Sequence, residues 1–161
     1  MISLIAAITK KTRAIGKNNN MLYHLPKDLQ FFKETTLHHS IVMGYKTYCS
    51  LPKRPLPNRK NIVLSKSHNI ENNEVLVLQD VESVLHYAEQ NPSDEIFICG
   101  GSALYEQFLP HADKLYLTLI EEKEPVDADT FFPTFEDEWK IQSKQYVEDK
   151  MPICFTTWVK K

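Results

Sequence analysis

The sequence predicts an α/β fold, a mostly parallel sheet with helices over both faces. Apolar runs of strand length alternate with segments of helical periodicity through the first two thirds of the chain, the order expected of βα units. Those runs are near-continuous in Ile, Val and Leu, as strands covered on both faces must be. In the last third the pattern changes. Trp139–Glu148 and Ile153–Val159 alternate apolar with polar residues around a tight turn at Asp149-Lys150, which predicts an antiparallel edge.

Residues 2–8 form the first strand. The run is too short to span a bilayer and has no basic stretch before it, so it reads neither as a membrane span nor as a signal peptide. Thr9–His24 follows as a long polar loop holding Gly16 and three consecutive Asn, a length common for a lid over a site. A helix over 26–36 opens at Pro26, a residue suited to the first helical position. At about 100° per residue, Lys27, Gln30, Lys33 and Glu34 share one side, and Leu25, Leu29, Phe31 and Phe32 the other. Asp28 falls between Phe31 and Phe32. A carboxylate facing an apolar wall is desolvated unless something binds it, and a ligand with paired N–H donors would do so. An acid in a first helical turn also complements the helix dipole; the segment alone leaves both readings open.

Further strands are predicted at Ser40–Gly44, Asn61–Ser65, Val75–Leu78, Glu95–Cys99 and Lys114–Ile120. Helices are predicted around Tyr45–Leu51 and at Val81–Gln90 and Ser102–Leu109. Pro52, Pro55 and Pro57 stiffen one loop. With 161 residues, 42% hydrophobic and 25% charged, the chain suits one compact soluble domain spanning 1–161. A net charge of −2 gives no reason to invoke nucleic acid or an anionic membrane. Cys49, Cys99 and Cys154 make an odd count without CxxC, favouring free thiols and a cytoplasmic location. The His residues are scattered and no metal site is expected.

Three strand ends carry anion-friendly groups. Cys99-Gly100-Gly101-Ser102 leaves a buried strand for a helix, and Gly there admits close approach of a ligand. With four Gly in the chain, two side by side call for a reason. Gly44-Tyr45-Lys46-Thr47 and Leu64-Ser65-Lys66-Ser67 repeat the theme. Together they would line the sheet edge where nucleotides bind in open α/β folds. Neither GxGxxG nor the GxxxxGK[ST] loop is present. Cys99, in an apolar strand, reads as inert.

These residues resemble dihydrofolate reductase of the bacterial chromosomal type. The resemblance runs from Met1 to about Pro133. It rests on Ile2-Ser3-Leu4-Ile5-Ala6-Ala7, Ile15-Gly16, Leu25-Pro26-Lys27-Asp28-Leu29, Phe32-Lys33, Val42-Met43-Gly44, Pro55-Leu56-Pro57-Asn58-Arg59, Asn61-Ile62-Val63-Leu64-Ser65, Gly100-Gly101, Leu104-Tyr105-Glu106-Gln107-Phe108, Leu115-Tyr116-Leu117-Thr118 and Asp129-Thr130. It implies an eight-stranded, mostly parallel mixed sheet with an antiparallel C-terminal strand and four flanking helices. It also implies hydride transfer from NADPH to 7,8-dihydrofolate, a monomer, and antifolate inhibitors such as methotrexate and trimethoprim.

By resemblance Asp28 binds the pterin 2-amino group and N3–H, and favours protonation at N5 through ordered water. Ile5, Ala7, Leu29, Phe32, Leu51 and Leu56 would wall the folate pocket, with Cys99 at its floor and Thr118 supporting Asp28. The carbonyls of Ile5 and Cys99 would accept from an amine at the pterin 4-position of inhibitors. Arg59, in a chain with only three Arg, resembles the residue that holds the glutamate α-carboxylate, a bidentate task. Ala7, Gly44, Tyr45, Lys46, Thr47, Leu64, Ser65, Lys66, Cys99, Gly100, Gly101, Ser102, Ala103, Leu104 and Tyr105 would wrap the dinucleotide. Gly100-Gly101 resembles the family's non-proline cis peptide. Ile15, Gly16, Asn19 and the loop to Tyr23 resemble a lid over nicotinamide, braced by Asp129.

The sequence departs from the family at four positions. Tyr23 stands where Trp usually holds a water near the pterin, which makes it a catalytic candidate. Tyr45 stands where Arg commonly meets the adenosine 2′-phosphate, and Ala103 lacks a charge, leaving Ser65, Lys66 and Lys46 as candidates there. Cys99 stands where Ile is common. Two other readings are a pyrimidine reductase of riboflavin synthesis and a catalytically silent folate- or nucleotide-binding module. The first gives no reason for Asp28 beside Arg59.

Overall fold

The computed structural model describes residues 1–18 and 20–161. In chain order the elements are β1 Ile2–Thr9, β2 Ala14–Lys17, β3 Asn20–Met21, α1 Pro26–Thr36, β4 Ser40–Gly44, α2 Tyr45–Ser50, β5 Lys60–Leu64, β6 Val75–Leu78, α3 Val81–Gln90, β7 Ile96–Ile98, α4 Ser102–Phe108, β8 Lys114–Ile120, β9 Thr130–Phe131, β10 Trp139–Glu148 and β11 Pro152–Lys160. Eight strands form one sheet in the order β10-β11-β8-β1-β7-β4-β5-β6. Every pairing from β8 to β6 is parallel, and β11 runs antiparallel to both β8 and β10.

Alternation along the strands sorts the core onto two faces. Leu4, Ile8, Val42, Ile62, Ile96 and Ile98 face one cluster, closed by Val84 of α3, Leu104, Tyr105 and Phe108 of α4, and Trp139. Ile5, Ile41, Met43, Val63 and Phe97 face the other, closed by Phe31 and Phe32 of α1 and Tyr48 of α2. A one-residue slip in any of these strands would exchange the two sets, so the register is strongly fixed. The chain builds outward from β1 through β4, β5 and β6, then returns to insert β7 between β1 and β4. The C-terminal ends around β7 are therefore where the strand order reverses, the place where such sheets bind ligands.

Helices α1 and α3 and the strands Ser40–Gly44, Val75–Leu78, Lys114–Ile120 and Trp139–Glu148 have the bounds the sequence predicts, and the other predicted elements differ by a residue or two. The segment Thr9–His24 differs more. Instead of an open loop, it contributes β2 and β3 to a separate sheet ordered β3-β2-β9. The physical reason is partly tertiary: β2 pairs with β3 in a short hairpin and gains its second ladder because Thr130–Phe131 comes back beside it. Asn19, expected in the lid, lies outside the described residues.

Candidate active site

Asp28 is placed by three elements at once. Pro26 opens α1 but the N-cap, Leu25, has no side chain able to cap. The carboxylate of Asp149, on the turn between β10 and β11, accepts the Lys27 N–H at 2.8 Å instead, a cap supplied from the far end of the chain. One turn of helix then carries Asp28 over the sheet, where its Oδ1 accepts from the Thr118 hydroxyl at 2.7 Å. Thr118 is buried in a row across three strands, between Ala7 of β1 and Phe155 of β11. Phe155 stacks on Phe31 of α1, with centroids 4.3 Å apart and planes 11° from parallel. The apolar arc read around Asp28 is thus real: Phe31 and Phe32 close the same side of the cleft. Burial raises the Asp28 pKa; the Thr118 hydrogen bond lowers it, and the Asp149 charge raises it.

Further along the cleft, Ile5, Phe32, Leu51, Leu56 and Cys99 pack in one cluster, while Leu29 is half-buried and belongs to none of the three clusters. The Asn61 side chain bonds Leu56 through both its amide groups and accepts no slack at the chain between: its Nδ2 also donates to the Arg59 carbonyl at 3.0 Å. Arg59 donates from Nε to the Pro57 carbonyl at 3.0 Å and from Nη1 to Thr36 Oγ1 at 3.2 Å. Burial lowers its pKa. Among the described residues no carboxylate pairs with it, so a half-buried guanidinium stands ready for an anion from outside the protein.

The edge at the strand ends is made mainly of backbone. Cys99 donates its N–H to the Val42 carbonyl at 2.8 Å, and Gly44 to the Gly100 carbonyl at 2.9 Å. The Gly100-Gly101 peptide is cis, and Gly100 has φ +119°. A Cβ on Gly100 would stand 3.3 Å from the Tyr105 hydroxyl, and one on Gly101 3.6 Å from Thr47 Oγ1. Tyr105 is buried and donates to the Ile5 carbonyl at 2.7 Å, beneath the edge. Leu104 is buried beside it; Thr47, Leu64, Ser65 and Ser102 are half-buried, and Lys46, Lys66 and Ala103 are exposed. Burial pushes the Cys99 thiol up to about 12, which makes it a poor nucleophile.

The lid segment is braced on its outer side. Asn18 N–H donates to Asp129 at 3.0 Å, the Asp129 N–H to the Gly16 carbonyl at 3.0 Å, and Lys17 pairs with Asp127. Ile15 packs against the first core cluster. Gly16 has no room for a side chain, since a Cβ would meet the Asn20 carbonyl at 2.7 Å. Tyr23 packs against the small cluster of Leu25, Ile120 and Ile153, as Ala7 and Phe155 also do.

A family model for dihydrofolate reductase matches residues 1–160. The chain belongs to the dihydrofolate reductase family. Dihydrofolate reductase of Haemophilus influenzae is 43% identical over 145 residues, covering 89% of this chain and 86% of the relative. That of Bacillus subtilis is 42% identical over 146 residues, covering 90% and 83%. A solved dihydrofolate reductase from Enterococcus faecalis, complexed with NADP(H) and RAB-propyl, superposes with a TM-score of 0.88 at 33% identity, over 100% of this chain and 96% of that one. The mixed eight-stranded sheet and four helices are those of a dihydrofolate reductase.

Three residues at or beside this site escaped the sequence reading: Phe155, Asp149 and His68. His68 stacks on Tyr45 at 4.0 Å, and its N–H donates to Ser65 Oγ at 3.1 Å. Phe155 left a signal, an aromatic on the inward phase of an alternating strand. The others left none, because each acts through a contact with a distant segment.

Proposed function

We propose that the cleft over Asp28 binds the pterin of 7,8-dihydrofolate and that the strand-end edge from Gly44 to Gly101 binds NADPH. The protein is an enzyme, a bacterial-type dihydrofolate reductase that converts dihydrofolate to tetrahydrofolate with NADPH. The observation that carries the site assignment is the half-buried Asp28 carboxylate, fixed by Thr118 at 2.7 Å on an otherwise apolar wall.

Asp28 accepts from the pterin 2-amino group and N3–H, a pair of donors matched to one carboxylate. Its charge then favours a proton at N5, delivered through ordered water. Ile5, Ala7, Leu29, Phe32, Leu51, Leu56 and Cys99 surround the ring and exclude bulk water. Arg59 holds the glutamate α-carboxylate. The residues at the strand ends fit a dinucleotide: Gly44 and Gly101 leave the space a Cβ would fill. Thr47, Ser65 and Ser102 offer hydroxyls, and Lys46 and Lys66 offer charge. Gly100, Tyr45, Ala103, Leu64, Leu104 and Tyr105 complete that wall, and Ile15 and Gly16 belong to the lid, to which the sequence also assigns Asn19. When bound, NADPH supplies the hydride.

We also read residues 1–161 as one domain acting as a cytoplasmic monomer without nucleic-acid partners. The net charge of −2 and free cysteines support this, and no helix among the described residues is long and apolar enough to cross a membrane. The test is loss of nicotinamide absorbance on mixing the full chain with dihydrofolate and NADPH. Turnover should be abolished by methotrexate and slower with NADH. No turnover with either cofactor, despite binding of both ligands, would mark a silent binding module.

A further inference from the structure

Helix α1 has no polar side chain at its own N-cap. Leu25 stands there, buried with Ile120 and Ile153 in a cluster against which Val147, Met151 and Phe155 of the C-terminal hairpin also pack. The Lys27 N–H donates to Asp149 Oδ2 at 2.8 Å, and the Lys27 ammonium donates to the Glu148 carbonyl. Both partners belong to the hairpin of β10 and β11, so the start of α1 is fastened to the last two strands of the chain.

The capping carboxylate is itself held. Asp149 Oδ1 accepts the Lys150 N–H at 2.8 Å, and the Asp149 N–H donates to the Met151 carbonyl at 3.2 Å. Glu148 pairs with Pro152 to close the ladder below the turn. With both oxygens engaged and its backbone tied into a hairpin, Asp149 is a fixed point. A helix end otherwise frays, because its first N–H groups lack partners within the helix. Asp28 sits in that first turn, one residue beyond Lys27, and its Oδ1 must meet the Thr118 hydroxyl at 2.7 Å. Burial raises the Asp28 pKa and the Asp149 charge adds to the rise, so the two carboxylates also sense each other.

We propose that Asp149 is a positioning residue for the reaction: from the turn between β10 and β11 it fixes the first turn of α1, and so holds Asp28 on Thr118 before substrate arrives. The last hairpin of the chain thereby sets where the pterin is bound. This rests on the reading of the Asp28 cleft as the dihydrofolate site.

The test compares Asp149→Ala and Asp149→Asn in the full chain. Asn keeps an oxygen for the Lys27 N–H and caps as well as Asp, whereas Ala offers none. In Asp149→Ala the substrate must restore the turn that it binds. KM for dihydrofolate should therefore rise roughly five- to tenfold, the worth of one cap, with kcat little changed. KM for a dihydropterin lacking the glutamate should rise by the same factor, and the Kd for NADPH should not move. Asp149→Asn should recover most of the loss. Amide exchange at Lys27 and Asp28, followed by NMR, should quicken in the Ala variant and return toward the parent rate in the Asn variant. Added to Asp28→Asn, the Ala substitution should raise KM less than it does alone.

An unchanged KM in Asp149→Ala, no recovery in Asp149→Asn, or NADPH binding weakened by the same factor would overturn the proposal. So would losses that multiply in full with Asp28→Asn, or an Asp149→Ala chain that does not fold, since Asp149 would then be structural alone. An unsubstituted chain that neither binds nor reduces dihydrofolate would overturn the reading of the cleft, whereas one that does both, with Asp149→Ala its equal, would overturn the positioning role only.

Discussion

Around Asp28 the cleft is built from side chains held by particular partners, whereas the edge at Gly44, Gly100 and Gly101 is built from backbone. Asp28 answers to Thr118, and Arg59 to Thr36 and Pro57. At the edge the fixing bonds run between N–H and carbonyl groups of Gly44, Gly100, Val42 and Cys99, while the cations Lys46 and Lys66 stand in solvent. One side should therefore be sensitive to a change of functional group, and the other to a change of backbone freedom.

The largest effect is expected at Asp28. Asp28→Asn keeps size and shape but removes the charge that, on the proposed pterin assignment, favours N5 protonation. Turnover at neutral pH should fall at least roughly 10²-fold, the usual worth of a proton-transfer group, and recover partly in acid, where substrate arrives protonated. Activity equal to the unsubstituted enzyme across neutral and acid pH would break the comparison. Stability should move the other way. Burial raises the Asp28 pKa above its unfolded value, so the native state binds the proton more tightly and loses stability as pH rises through that interval. Asp28→Asn removes this loss, and its thermal midpoint at neutral pH should exceed that of the parent.

Gly100→Ala tests the other side. The left-handed φ of +119° disfavours any Cβ, and this one would press on the Tyr105 hydroxyl at 3.3 Å, disturbing its bond to the Ile5 carbonyl. A loss of about 1–3 kcal/mol in unfolding free energy is expected, measurable by denaturant titration, together with weaker NADPH binding. An unperturbed variant would mean that the edge tolerates side chains after all.

Arg59→Ala should cost roughly tenfold or more in KM for dihydrofolate, as loss of a charge-assisted pair does, and much less for a dihydropterin lacking the glutamate. Equal losses on both substrates would make Arg59 structural, a brace between Thr36 and Pro57.

The same division decided what could be read from the sequence. Asp28 stood out because a carboxylate interrupted an apolar arc whose period is set by the helix. The parallel strands stood out because burial on both faces demands unbroken Ile and Val. The strands at Ala14–Lys17, Asn20–Met21 and Thr130–Phe131 are too short for any period to show, and they exist only through pairing with one another. The Asp149 cap on α1, the Phe155 stack on Phe31 and the stack of His68 on Tyr45 join segments far apart in the chain, so their geometry belongs to the folded state alone.

Lys46→Ala and Lys66→Ala complete the comparison with its smallest effects. Both side chains are exposed, so each contributes the energy of a screened surface charge, well below that of a buried pair. Each should raise KM for NADPH by about two- to fivefold, leave KM for NADH nearly unchanged, and lose even that difference as salt is added. A larger or salt-insensitive effect from either lysine would show that the bound dinucleotide buries it. The nucleotide edge would then depend on a charged side chain as closely as the pterin side depends on Asp28.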